Sequence, residues 1–143
     1  MRERMKAFAA SFGIVDMGAP ARSPNTRRIL AAAEWARDQG RLTEFRHAAM
    51  NAHWREGLDL EKPEHVRLVA AKAGVDADGA LAAMDDKTYL ARIDATRAEA
   101  GELGITGVPT FVFDLRFAVV GCQPYEVLAQ ALERAGAAKR LRA

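Results

Sequence analysis

Thiols are almost absent from this chain: its 143 residues include one cysteine, Cys122. A single cysteine excludes an intrachain disulfide and any zinc cage built from several thiolates. The three histidines, His47, His53 and His65, do not restore a metal site. His47 and His53 stand six residues apart on a helical stretch, not at the i, i+4 spacing that brings two imidazoles to one face. Charge of one sign is also lacking. With 21 basic and 19 acidic residues the formal charge is +2, so no dominant field points to nucleic acid or to an anionic membrane. Basic residues at the two ends, Arg2, Arg4, Lys6 and Lys139, Arg140, Arg142, are read as solvated tails. No apolar run reaches membrane-spanning length, and the first ten residues lack the apolar stretch of a secretory signal, so the expected compartment is the cytoplasm. Glycine-rich phosphate loops, catalytic triads and clustered carboxylates are missing as well. We therefore expect no metal and no cofactor.

What is present suits one compact domain over residues 1–143, with half of the residues hydrophobic and helices punctuated by glycine. The spacing predicts a first helix from about Arg4 to Phe12, stopped by Gly13, and a connector from Ile14 to Ala21. Ser23-Pro24-Asn25-Thr26 carries cap chemistry for a second helix with Ile29, Leu30, Ala33 and Ala36 on one face, closed by Gly40. Leu42 to Trp54 repeats the helical period through Leu42, Phe45, Ala49 and Ala52. Pro63 sits at a natural first helical position ahead of Val66, Val69, Ala70 and Ala73, with Gly74 beyond. Asp76 caps a short helix through Met84, Asp85-Asp86 reads as the next cap, and a longer helix follows from Lys87 to Leu103 with Tyr89, Ile93, Ala100 and Leu103 on its face.

The pattern changes after Gly107. Thr110 to Phe113 and Phe117 to Val120 are β-branched and aromatic runs separated by Asp114-Leu115-Arg116, which predicts a hairpin. Gly121 breaks it, Pro124 opens a last helix, and Val127, Leu128, Ala131, Leu132 and Ala135 give that helix a stripe to bury. Two strands make a marginal sheet in water, and the first has apolar residues on both faces, so it expects a further strand or cover.

Gly104-Ile105-Thr106-Gly107-Val108-Pro109-Thr110-Phe111-Val112-Phe113-Asp114, followed by Ala118-Val119-Val120-Gly121-Cys122-Gln123-Pro124 and an amphipathic helix, resembles the end of DsbA-like thioredoxin-fold proteins. It is most similar to the FrnE-type branch, related to the 2-hydroxychromene-2-carboxylate isomerases. Upstream, Pro24-Asn25-Thr26, Ala36-Arg37-Asp38-Gln39-Gly40, Ala52-His53-Trp54-Arg55-Glu56-Gly57 and Ala73-Gly74-Val75-Asp76 follow the order of that family's helical insertion. The resemblance covers the later part of a family member. The first strand, the Cys-Pro-x-Cys turn, the helix it caps and the next strand have no counterpart here.

The resemblance implies an α+β, mainly helical fold: a truncated DsbA-like thioredoxin domain with a helical part over 1–103, and a cis-proline loop, one hairpin and a C-terminal helix over 104–143. It implies a cis Val108–Pro109 bond, with Val108, Pro109 and Thr110 as the peptide-contact candidates of the loop; a rigid turn that only starts the strand is the plainer use. Dithiol exchange needs an activated thiolate and a resolving thiol, and the chain holds neither pair nor turn, so no catalytic residue is assigned. Cys122, near the start of the last helix where the dipole favours a thiolate, is a possible monothiol, although a plain small-residue position is preferred. Asn25 and Thr26 are candidate ligand contacts by analogy with isomerase-like relatives, against their ordinary use as cap and first-turn residues. Trp35, Trp54 and Phe45 are candidates for lining a groove between helices, against core or interface.

The expected role is a redox-inactive binding or assembly module of the thiol–disulfide oxidoreductase family, a homodimer through its sheet and exposed helix faces, with a protein or peptide as a further partner. The alternative is a thiol- or glutathione-dependent oxidoreductase or isomerase, completed by a partner chain or using Cys122 alone. Membership in a longer protein, with Met1 at an internal position, is the third expectation.

Overall fold

The computed structural model describes residues 2–18 and 24–137. Ser23, the last connector residues and the basic residues Lys139, Arg140 and Arg142 lie outside them. The described residues form α1 (Arg2–Ala10), α2 (Thr26–Asp38), α3 (Leu42–Trp54), α4 (Pro63–Ala73), α5 (Ala77–Ala83), α6 (Lys87–Glu102), β1 (Thr110–Phe113), β2 (Phe117–Val120) and α7 (Tyr125–Arg134). This is the mainly helical order with one antiparallel strand pair that the sequence implies. The chain divides into two compact units, Met1–Thr96 and Arg97–Ala143.

In the first unit the helix ends are set locally. Asn25 has extended backbone, and its side chain accepts the Arg27 N–H at 3.1 Å, which satisfies one of the orphan donors of α2. Pro63 occupies the first turn of α4, where its missing N–H costs nothing. At the other end Gly74 takes a left-handed φ of 69°, which lets the Gly74 and Val75 N–H groups bond to the Ala71 and Ala70 carbonyls. The Asp76 carboxylate accepts the Gly79 N–H at 2.6 Å and starts α5.

Burial follows from periodicity in α2 to α5. Ile29, Ala33 and Ala36 of α2, Phe45, Ala48 and Ala52 of α3, and Val66, Val69, Ala70 and Ala73 of α4 form one core with Leu60, Ala80 and Met84. Phe45 and the two valines are fully enclosed, each worth about 1.5–3 kcal/mol against solvent exposure. The many alanines on α2 keep the helices close, so the core is tight but narrow. Leu30 is an exception: it belongs by spacing to the buried face of α2 but remains 44 % exposed, at the edge of a groove described below.

The α6 helix departs from expectation more fully. None of its residues is buried and Leu103, just beyond its end, is exposed, although Tyr89, Ile93 and Ala100 are partly covered. Ion pairs tie its first half to α2 instead. Arg27 of α2 grips Asp94 through two nitrogens at 2.8 and 2.6 Å, and Arg92 of α6 reaches Asp38 of α2 at 2.9 Å. Asp86 caps the helix by accepting the Thr88 N–H at 2.7 Å. Asp85, read from sequence as part of that cap, is spent on Arg28 in a second two-pronged pair.

In the second unit β1 and β2 pair in the register Thr110 with Val120 to Phe113 with Phe117. The turn places Asp114 and Leu115 both at positive φ, 49° and 54°, and the Arg116 N–H bonds to the Phe113 carbonyl at 2.9 Å. The rings of Phe113 and Phe117 stack at 5.1 Å, and the Arg134 guanidinium of α7 lies 4.5 Å from the Phe117 ring centre. The expected buried stripe of α7 is only partly covered. Ala131 is buried, but Val127 and Leu132 are exposed, because a two-stranded sheet is too narrow to cover the helix.

Candidate functional site

The second unit carries the loop singled out from sequence. Val108–Pro109 is a cis peptide bond, placed between Gly107 and the first residue of β1. Thr110 fixes the approach by donating its hydroxyl to the Gly107 carbonyl at 2.6 Å, and the Gly121 N–H donates to the Pro109 carbonyl at 2.8 Å, extending the ladder by one bond. Val108 is the exposed member of the three, at 91 %, and its N–H and carbonyl bond to no described main-chain group.

Cys122 is exposed and is the one thiol of the sequence. It follows Gly121 and precedes Gln123, whose side-chain amide donates to the Val120 carbonyl at 2.8 Å and closes the end of β2. Among the described residues no group of His, Cys, Asp and Glu could hold a metal ion. Among the described residues no helix is long and apolar enough to cross a membrane.

The first unit holds a groove of about 440 Å³ between α2 and α3. Thr26, one of the two candidate ligand contacts, lines it; Asn25 does not, since its side chain caps α2 and its N–H donates to Glu61 at 3.0 Å. Phe45 and Trp54 also line it, whereas Trp35 packs against Gly79 of α5. The lining signal was thus divided between groove and core within one aromatic set. His53 reaches the groove as well, with its Nδ1 donating to the Leu58 carbonyl at 3.2 Å and its ring edge-on to Trp54 at 4.8 Å. His65 is spent on the Asp59 carbonyl at 2.9 Å, and His47 is exposed on α3. Arg46 is the residue of this groove that sequence reasoning missed: a lone arginine on a helix surface carries no signal until α2 supplies the opposite wall.

A helical part followed by a cis-proline loop, an antiparallel strand pair and a terminal helix defines a protein of the thioredoxin-like class, in the arrangement where helices are inserted ahead of the proline. The DSBA-like thioredoxin domain model matches residues 1–133, and the chain belongs to that family. The structure is similar to that of a probable DsbA oxidoreductase from Streptomyces coelicolor, with a TM-score of 0.80 and 29 % sequence identity. That likeness covers 99 % of this chain and 62 % of the Streptomyces chain, so the present sequence spans less than two thirds of its neighbour. No curated protein matches.

Proposed function

We propose that these 143 residues act as a binding module of the DsbA-like family and carry out no dithiol exchange as a separate polypeptide. The observation that carries this reading is the pairing of an exposed cis-proline loop with a sequence that holds one thiol. Disulfide exchange through a mixed disulfide requires a second thiol to resolve it, and Cys122 has no partner within the chain. What supports recognition is the loop: Val108 has a backbone donor and acceptor that bond to no described main-chain group, with Pro109 and Thr110 holding it beside β1. The helix order and the Gly121-Cys122-Gln123-Pro124 element support the FrnE-type branch.

A second copy is the partner we assign to the hairpin. Phe111, Val112 and Val120 are each at least 40 % exposed on a sheet of two strands, and apolar strands of this kind gain most by pairing with further strands. The rival reading rests on the longer Streptomyces neighbour: another polypeptide supplying the strand, Cys-x-x-Cys turn and helix would make a complete oxidoreductase, and Cys122 alone would serve only as a monothiol. The test is whether the chain catalyses reduction of insulin by dithiothreitol, and whether Cys122→Ser changes the rate.

A further inference from the structure

The two edges of the hairpin are not alike. The Gly121 N–H bonds to the Pro109 carbonyl at 2.8 Å, so by the alternation of an antiparallel ladder the main-chain groups of Phe111 and Val119, and of Phe113 and Phe117, bond across it. Those of Thr110 and Val112 therefore point outward from β1, and those of Ala118 and Val120 outward from β2. The β2 edge is partly closed, because the Gln123 side-chain amide donates to the outward Val120 carbonyl at 2.8 Å. On β1 the N–H and carbonyl groups of Thr110 and Val112 bond to no described main-chain group. The strand Thr-Phe-Val-Phe carries no charge or proline that would keep another strand off.

We propose that β1 is the self-pairing edge: it joins β1 of a second copy, antiparallel about a twofold axis at Phe111, giving a sheet in the order β2-β1-β1-β2 with two strands from each copy. This rests on the second copy assigned above and adds the edge, the direction and the register. A contact of one strand edge with itself is isologous, and the twofold axis makes it antiparallel. Because the outward groups must meet, the open registers centre on Thr110, Phe111 or Val112. Centring on Phe111 sets Thr110 against Val112 of the second copy and the reverse, so both outward residues of each strand exchange N–H···O bonds. Centring on Thr110 or Val112 pairs that residue with itself and carries the other past the strand, to Val108 or to Asp114. Val108 lies before β1, and Asp114 with φ of 49° is not extended. The Phe111 register also places the two Phe111 side chains directly opposite, in the closer, non-hydrogen-bonded kind of pair, where aromatic partners stabilise a sheet. Phe111 is 40 % exposed in the single chain, so the contact removes apolar surface from water.

The experiment traps the contact by oxidation in a Cys122→Ser background. A non-hydrogen-bonded antiparallel pair has Cα atoms about 4.5 Å apart, within the range a disulfide spans. Phe111→Cys should give a covalent dimer on a non-reducing gel under copper–phenanthroline, about tenfold faster than Val112→Cys or Val119→Cys. The wild type supplies a second measurement that does not depend on a variant folding. Amide exchange at Thr110 and Val112 should slow as the protein is raised from about 10 μM to about 1 mM, while Ala118 stays unchanged. The proposal is overturned if Val112→Cys or Val119→Cys crosslinks as fast as Phe111→Cys, if Phe111→Cys keeps the wild-type circular dichroism and does not crosslink, or if the added protection falls on Ala118. In each of those cases a wild-type mass of two chains leaves the second-copy reading standing. A wild type that stays monomeric with exchange independent of concentration overturns both.

Discussion

Trp35 and Gly79 are in direct contact: a methyl group added at Gly79 would stand 2.6 Å from Cζ2 of the indole and 3.1 Å from its Cη2. The α5 backbone therefore meets the α2 indole with no room for a side chain, which explains a glycine inside a short helix where alanine would be better by propensity. Gly79→Ala should gain up to about 1 kcal/mol of helix propensity and lose about 1–3 kcal/mol to overpacking. A net loss of about 1–2 kcal/mol is expected, read as a lower urea midpoint.

Acid should loosen the tie between α2 and the α5–α6 segment. The Arg92 hydrogen bond holds the Asp38 carboxyl below the usual carboxylate range, and the Arg28 hydrogen bond does the same for Asp85. A carboxylate whose folded-state value is depressed contributes stability that is present above its unfolded value of about 4 and is lost as pH falls through the folded value. Urea midpoints should thus be level from neutral pH to about pH 5 and drop below about pH 4. Asp85→Asn should flatten part of that drop. Because these pairs are exposed, 1 M sodium chloride should also speed amide exchange in the first half of α6.

The turn of the hairpin holds a leucine where glycine belongs. Leu115, with φ of 54°, lies in the left-handed region, which costs a residue bearing a Cβ about 1–2 kcal/mol. Glycine relieves that strain but loses more freedom on folding, so Leu115→Gly should stabilise the hairpin by about 0.5–1 kcal/mol. Slower amide exchange at Phe113 and Arg116 is the readout.

Self-association should run through the strands. Light scattering after gel filtration is expected to give the mass of two 15.6 kDa chains, and Val112→Lys should return it to one. A wild type that is monomeric at all concentrations would remove the assigned partner.

Much of this fold was legible because its signals are local. Asn25 before Thr26, Pro63 at a helix start, Gly74 after Ala73 and the β-branched and aromatic runs to either side of Asp114-Leu115-Arg116 each fix an element through local chemistry. The core of α4 could be read from the spacing of Val66, Val69, Ala70 and Ala73 alone. What could not be read depends on partners far away in sequence. The stripe from Tyr89 to Leu103 promised a buried face, yet α6 is fastened by Arg27, Arg92 and Asp94 across separations of 54 and 67 residues. The groove is the same kind of case. Ala33 and Ala49 look like ordinary core positions, and only the arrangement of α2 against α3 makes them facing walls with Arg46 at hand. The Val108 loop was legible as a motif, but the exposure of Val108 emerged only with the hydrogen bonds of Pro109 and Thr110.

Recognition without dithiol chemistry, as proposed for this chain, is decided by turbidity during insulin reduction by dithiothreitol. The predicted result is a rate equal to the uncatalysed reaction for both wild type and Cys122→Ser. Turnover by the wild type that disappears in Cys122→Ser would contradict it and make Cys122 the reacting thiol.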